Sequence, residues 1–272
     1  MPASGIQVIE KPKINALSEH YKRTRDYADE IEGKYGVSIY IGEQASLELW
    51  DSSAELLSDL YTIETSLKLL EEALAKYPEG FFTQMKDNYG DGVAIHLVGA
   101  IKGLGATLSN PAAITYTNNP NTMILFDCYQ LSEGNIHHEI AHAIEDYLIN
   151  KDSWSKPIFS LDKWVSFNPD NFSYADDYNS QWSDDLEYTL TAYYNGDNSI
   201  SDVYFVDGYA KVNNREDMAR LFENAIILDP FDSFFKSEHL MNKLAYLSSS
   251  IRSLYDSSDW PAVTAWEKGL SQ

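Results

Sequence analysis

The segment GNIHHEIAHAIEDY, residues 134–147, restricts the fold of this chain more than any other. Ile136, Ile140, Ile144 and Leu148 recur every four residues, the spacing of one side of an α-helix. Ser132 stands where an N-cap belongs. Apolar neighbours such as Ala141 imply that this helix is buried, yet it carries His137, His138, Glu139 and His142. Buried histidines and a buried glutamate need partners. His138 and His142 share one helix face, about 6 Å apart, and can converge on one Zn²⁺ at roughly 2.0–2.1 Å each. Glu139 turns toward the neighbouring sector. It cannot easily bind the same ion from there, but it can reach a water on it, as a general base must. H-E-x-x-H arises by chance in about one chain in a hundred, so the apolar context decides for a metal site over a decorated helix. His137 has only Ala141 four residues on and is expected to support or line the site rather than bind metal.

The rest of the chain must supply the layers that bury this helix. Its 272 residues, 44% of them apolar, suffice for a substantial core. A helix is expected over 14–34, with Ile14, Leu17, Tyr21, Ala28 and Ile31 on one face, and is ended by the glycines of EGKYG. VSIYIGE (37–43) alternates as a strand does. Ile63, Leu67, Leu70, Leu74 and Tyr77 mark a second helix over 62–77, stopped by Pro78. Strands follow at 93–101, 112–117 and 122–128, the last two joined by NNPN as a hairpin. Two further helices are expected over 214–228 and 237–255. Helices, then strands, then helices imply an α+β fold: a small mixed sheet, the histidine helix and a helical C-terminal lobe. Residues 1–12 read as a loose tail. Residues 13–272 read as one domain, with a cleft between an N-terminal lobe (13–150) and a C-terminal lobe (151–272). The irregular stretch 151–208 reads as a partly helical insertion over the site.

Charge and cysteine content narrow the function classes. A formal net charge of −22 disfavours nucleic acid and anionic membranes as partners. The acidic residues are spread along the chain and read as a solubilising surface. The one cysteine, Cys128, excludes an internal disulfide and a cysteine zinc cluster; it reads as a small buried residue at a strand end. No apolar run is long enough to span a bilayer. The N-terminus lacks the apolar core of a signal peptide. DNYGDG (87–92) hints at a calcium loop, but Val98 stands where the bidentate glutamate belongs, so a turn is expected.

A catalytic zinc site needs a third protein ligand and keeps one position for water. Leu148 occupies the place of a third histidine in H-E-x-x-H-x-x-G-x-x-H, which removes that arrangement. A downstream glutamate remains: Glu187 in DDLEYTL, Glu216 in NREDMARLF, or Glu223. DGYAKVNNREDMARLFE resembles the second motif of the anthrax-lethal-factor-like zinc peptidases, a gluzincin family that includes Pro-Pro endopeptidases. In that motif a tyrosine precedes a zinc-binding glutamate by seven residues. Tyr209 and Glu216 stand seven apart here, with Ala219 and Phe222 following. YGVSIYIGE is similar to the strand that precedes the catalytic core in bacterial members. One departure is Arg220, where the family often carries a second glutamate; it could pair with Glu216 or Glu223. Capping bears on Glu216 as well. With Asn213 as N-cap, Glu216 would take the N3 place of a capping box and serve the backbone; with Asn214 as cap, Asp217 would take that place.

The resemblance implies a zincin-like fold and one catalytic Zn²⁺ held by His138, His142 and Glu216. It implies Glu139 as general base and Tyr209 as hydrogen-bond donor to the oxyanion. The implied activity is peptide-bond hydrolysis, with a peptide or protein as substrate; the oligomeric state is left open, with a monomer favoured. It also implies an exported or lipid-anchored bacterial protein at the cell surface. Two other readings stand beside it: a non-catalytic zinc-containing surface or binding protein, and a zinc hydrolase of a non-peptide acyl bond. Glu139 speaks against the first, because a structural zinc has no use for a base. The strand near 122–127 is expected beside the cleft, where an extended peptide could add to its edge.

Overall fold

A computed structural model describes residues 18–45, 52–86, 92–103, 110–118, 121–151, 157–175, 199–227 and 236–271. The N-terminal tail, Ile14 and Leu17, most of DNYGDG, and Glu187 lie outside these residues.

The first helix, α1 (Glu19–Tyr35), starts where Ser18 accepts a hydrogen bond from the Tyr21 N–H and ends at Gly36 in the left-handed region (φ 79°). A Cβ at Gly36 would stand 2.3 Å from Thr83 Oγ1, so both backbone and space favour glycine there. The chain then enters β1 (Ser38–Ile41). Arg25 of α1 is buried and donates to the Ile39 carbonyl at 2.6 Å, which fixes helix to strand. The short β2 (Ser52–Ala54) precedes α2 (Leu60–Leu74), capped by Asp59. Tyr77 lies just beyond α2 rather than within it, but its ring is still buried.

The apolar stretch 93–101 divides in two, β3 (Val93–Val98) and β4 (Ile101–Gly103). The break comes at Gly99, whose N–H donates to the Glu55 carbonyl at 2.8 Å. A Cβ at Gly99 would stand 3.2 Å from that same oxygen. Beyond it β4 pairs with β2 in a separate two-stranded antiparallel sheet. Then come β5 (Ala113–Asn118) and β6 (Asn121–Asp127), paired antiparallel from Ala113↔Phe126 to Asn118↔Asn121. The order of the main sheet is β1-β3-β6-β5. Its first three strands are parallel and β5 runs against them.

This order corrects one expectation. The strand at 121–127 is interior, and β5 forms the edge. The cause is in the side chains. Ile124, Leu125 and Phe126 are all fully buried, a run that demands cover on both faces, whereas residues 113–117 of β5 are all half-buried, as suits an edge strand.

One face of the sheet, through Ile39, Ile95, Leu97, Ile124 and Phe126, joins the main core beneath the helices. The other face packs Leu125 and Val98 with Ile101 and partly buried residues of β5. The histidine helix is α3 (Glu133–Lys151), opened by Ser132, whose Oγ accepts from the Asn135 N–H. A short α4 (Leu161–Val165), α5 (Asn214–Ile227) and α6 (Glu238–Leu254) follow. The fold is α+β: a small mixed sheet, a buried central helix, and helices beyond it. Cys128 directly follows β6, and burial pushes its thiol up to about 12, which leaves it unreactive.

Candidate metal centre

Helix α3 is buried on nearly every side from Ile136 to Glu145, and its polar groups are sorted by neighbour. His137 faces the core. Its Nδ1 meets the Tyr77 hydroxyl at 2.9 Å, beside an aromatic cluster that includes Phe82, Phe222 and Trp266. Burial lowers its pKa to about 4, so it is a neutral core histidine and not a groove residue.

His138 and His142 turn the other way and meet α5. Their rings stand edge to face with centroids 5.0 Å apart. Glu216 Oε2 lies 3.0 Å from His138 Nε2 and 3.6 Å from His142 Nε2. One ligand atom from each of the three residues lies within 4.8 Å of the other two. Glu223, the other described candidate, sits behind His138 instead, with Oε2 3.3 Å from Nδ1. Arg220 also finds its place. Arg220 holds Glu223 in a short contact and donates to Asp207 at 2.5 Å and 2.8 Å. Asp207 in turn accepts from the Ala210 N–H at 2.9 Å, which shapes the turn at Tyr209–Lys211. The Tyr209 ring centre stands 6.0 Å from that of His138.

Asn213 is the N-cap of α5: its Oδ1 accepts from the N–H groups of Arg215 and Glu216. Glu216 thus occupies N3, yet its carboxylate still reaches both imidazoles. Capping and the site are compatible because the backbone N–H serves the cap while the side chain serves the site. A carboxylate in a first helical turn also gains from the helix dipole.

The charges around the centre are strongly coupled. Burial opposes the charged form of His138, but Glu216 and Glu223 outweigh it and hold the ring at about 9. For His142 burial is again the opposing force, and Glu145 and Glu216 lift it to about 10. Burial would raise Glu216, but the two rings keep it well below the usual carboxylate range. Carboxylates that hold protons on two imidazoles would equally favour a dication that displaces them. The donor set therefore fits zinc: two imidazole Nε2 atoms and a carboxylate face the centre, and each ring's Nδ1 faces a second carboxylate. That outer arrangement is how metal-binding histidines are commonly oriented.

Glu139 points to the edge strand, where Thr115 Oγ1 donates to its Oε2 at 2.5 Å and contacts its carbonyl at 3.2 Å. Thr115, Asp207, Gly134 and Glu145 were not apparent from the motifs. Glu145 had a readable signal, three residues after His142 on the same helix. Thr115 had none, since only strand register brings it to Glu139.

No protein-family model matches the chain, and no curated protein matches its sequence. Among solved structures it is similar to a "putative zinc-binding metallo-peptidase" from Bacteroides caccae, with a TM-score of 0.52 and 12% identity over 89% of each chain. At that identity the likeness is one of fold, and it gives this chain a metallopeptidase-like α+β architecture.

Proposed function

We propose that this protein is a zinc-dependent metalloendopeptidase of the gluzincin type, related to the lethal-factor-like peptidases that its two motifs resemble. The observation that carries the proposal is the convergence of His138, His142 and Glu216 on one point. These three side chains would hold the metal. Bound zinc would supply Lewis acidity, polarising a carbonyl and making water a nucleophile near neutral pH. The protein's own groups then have separate tasks. Glu139 takes the proton of the attacking water and delivers it to the leaving amine. Thr115 steadies the Glu139 carboxylate through one oxygen. Tyr209, beside His138, donates to the developing oxyanion. The edge strand β5 offers backbone groups to which an extended peptide can add.

The test is metal removal and return. Stripped of metal by a chelator, the protein should cleave no member of a diverse peptide library. One equivalent of zinc should restore cleavage at internal bonds. Stoichiometric zinc binding without cleavage of any peptide would instead support a non-catalytic zinc protein.

Gly134 gives a second, local prediction. Alanine normally stabilises a helix by about 1 kcal/mol relative to glycine. Here the added Cβ would stand 2.5 Å from Glu223 Oε1, in a carboxylate whose other oxygen, Oε2, is held by Arg220. Gly134→Ala should therefore lose the helical gain and weaken zinc binding on the order of 10-fold, by displacing the carboxylate behind His138. Unchanged zinc affinity in a chelator competition would show that Glu223 has no such role.

A further inference from the structure

Both imidazoles at the centre are backed by a carboxylate, and each carboxylate is met by an arginine of α5. Behind His138 the partners are Glu223 and Arg220. Behind His142, Glu145 Oε2 lies 3.9 Å from Nδ1, and Glu145 Oε1 lies 3.3 Å from Arg215 Nη1. Glu145 is fully buried, and neither of its carboxylate oxygens has a hydrogen-bond partner. A buried carboxylate in that state persists only beside positive charge. Among the described residues, its ion-pair neighbours are Arg215 and the His142 ring.

We propose that Glu145, held by Arg215, is a positioning residue that fixes the His142 ring for metal binding. The proposal rests on the zinc reading above. At 3.9 Å the contact is electrostatic and not a hydrogen bond. It nevertheless selects an orientation, because an Nδ1 edge turned to Glu145 leaves Nε2 aimed at Glu216. Arg215 immediately precedes Glu216, so its pairing with Glu145 also ties α3 to the first turn of α5. One link thereby sets the positions of two ligands relative to each other. The two supports differ in exposure: the side chain of Arg215 is 49% exposed and that of Arg220 15%. Solvent screening makes Arg215 the weaker contributor, and Glu145 the residue whose loss matters more.

Zinc affinity of the full chain, measured by competition with a chromogenic chelator, tests this in Glu145→Gln, Arg215→Gln and the double variant. Glu145→Gln should bind zinc about 10- to 100-fold more weakly. Arg215→Gln should lose a smaller factor, about 3- to 10-fold, and the double variant no more than Glu145→Gln alone, since the arginine acts through the carboxylate. Nitrogen-detected spectra of the zinc-loaded protein give a readout that general loosening would not reproduce. In Glu145→Gln the Nδ1 proton of His142 should exchange faster with water, while that of His138 is unchanged. Equal change at both rings, or affinity within about 2-fold of wild type in folded Glu145→Gln, overturns the proposal. If Glu145→Gln does not fold, Arg215→Gln decides, and affinity within about 2-fold of wild type again overturns it. A wild type that binds no zinc would remove the zinc reading and this proposal together. A wild type that binds zinc as tightly as its variants would remove this proposal alone.

Discussion

If the protein is the zinc peptidase proposed above, Glu139→Gln should keep its zinc and cleave peptides 10²- to 10⁴-fold more slowly than the wild type, the usual contribution of a general base. That range corresponds to about 2.7–5.4 kcal/mol in activation free energy. The substitution isolates the base because little else changes. Glutamine keeps the length of the side chain and an oxygen that can accept from the Thr115 hydroxyl. The candidate ligands are on other residues, so metal content should hold. Glu216→Gln is the informative contrast. It removes a carboxylate that lies against both imidazoles, so it should lose metal and activity together. Steady-state kinetics with metal analysis of each variant separates the cases. Retention of more than about a tenth of wild-type activity in zinc-loaded Glu139→Gln would remove Glu139 from the mechanism.

Lys243→Met should destabilise the fold by about 3–5 kcal/mol. Lys243 of α6 and Asp217 of α5 are both fully buried, with Nζ 2.7 Å from Oδ2. Burial acts against both charges, raising the Asp217 pKa and lowering that of Lys243, while each partner opposes the shift of the other. Oδ2 of Asp217 also accepts from Trp164 Nε1 at 2.9 Å and from the Tyr174 hydroxyl at 2.8 Å. Lys243 donates as well to the Tyr204 carbonyl at 2.8 Å and lies over the Phe205 ring. Removing the lysine strands a buried carboxylate among these groups, and that desolvation cost dominates over the lost attraction. The double variant Lys243→Met with Asp217→Asn should therefore recover much of the loss, because no charge is left behind. Urea unfolding of the metal-free proteins measures both. A loss below about 1 kcal/mol for the single variant would mean that solvent reaches the pair. The pair bears on the candidate site because Asp217 adjoins Glu216. Anchoring α5 through one residue leaves the next directed at α3.

Local pattern made much of this molecule readable. The four-residue steps of Ile136, Ile140 and Ile144 specify a buried helix, and that same helix puts His138 and His142 on one face. Alternation in VSIYIGE and the NNPN turn located β1 and the β5–β6 hairpin. The resemblance of DGYAKVNNREDMARLFE to a zinc-peptidase motif, and not periodicity, pointed to Glu216, the glutamate that meets both histidines. The helix, the strand and the hairpin depend on contacts between near neighbours in the chain, so periodicity and turn residues reveal them.

Pairing between distant segments was not readable in this way. The apolar run 93–101 is one strand by pattern, and only the passage of Glu55 beside Gly99 divides it between two sheets. The choice of β5 as the edge, and with it the meeting of Thr115 and Glu139, depends on strand order, which leaves no periodic trace. The partners of Arg220 were open in the sequence because a long side chain on a helix can reach several carboxylates; the buried Asp207 settles them. His137 and His138 are adjacent and chemically identical, yet one is a neutral core residue on Tyr77 and the other faces the carboxylates of Glu216 and Glu223. The sequence alone determined which residue types stand on which face of each helix. The tertiary structure decided which of them meet and which are buried, because that depends on packing against segments brought from tens of residues away.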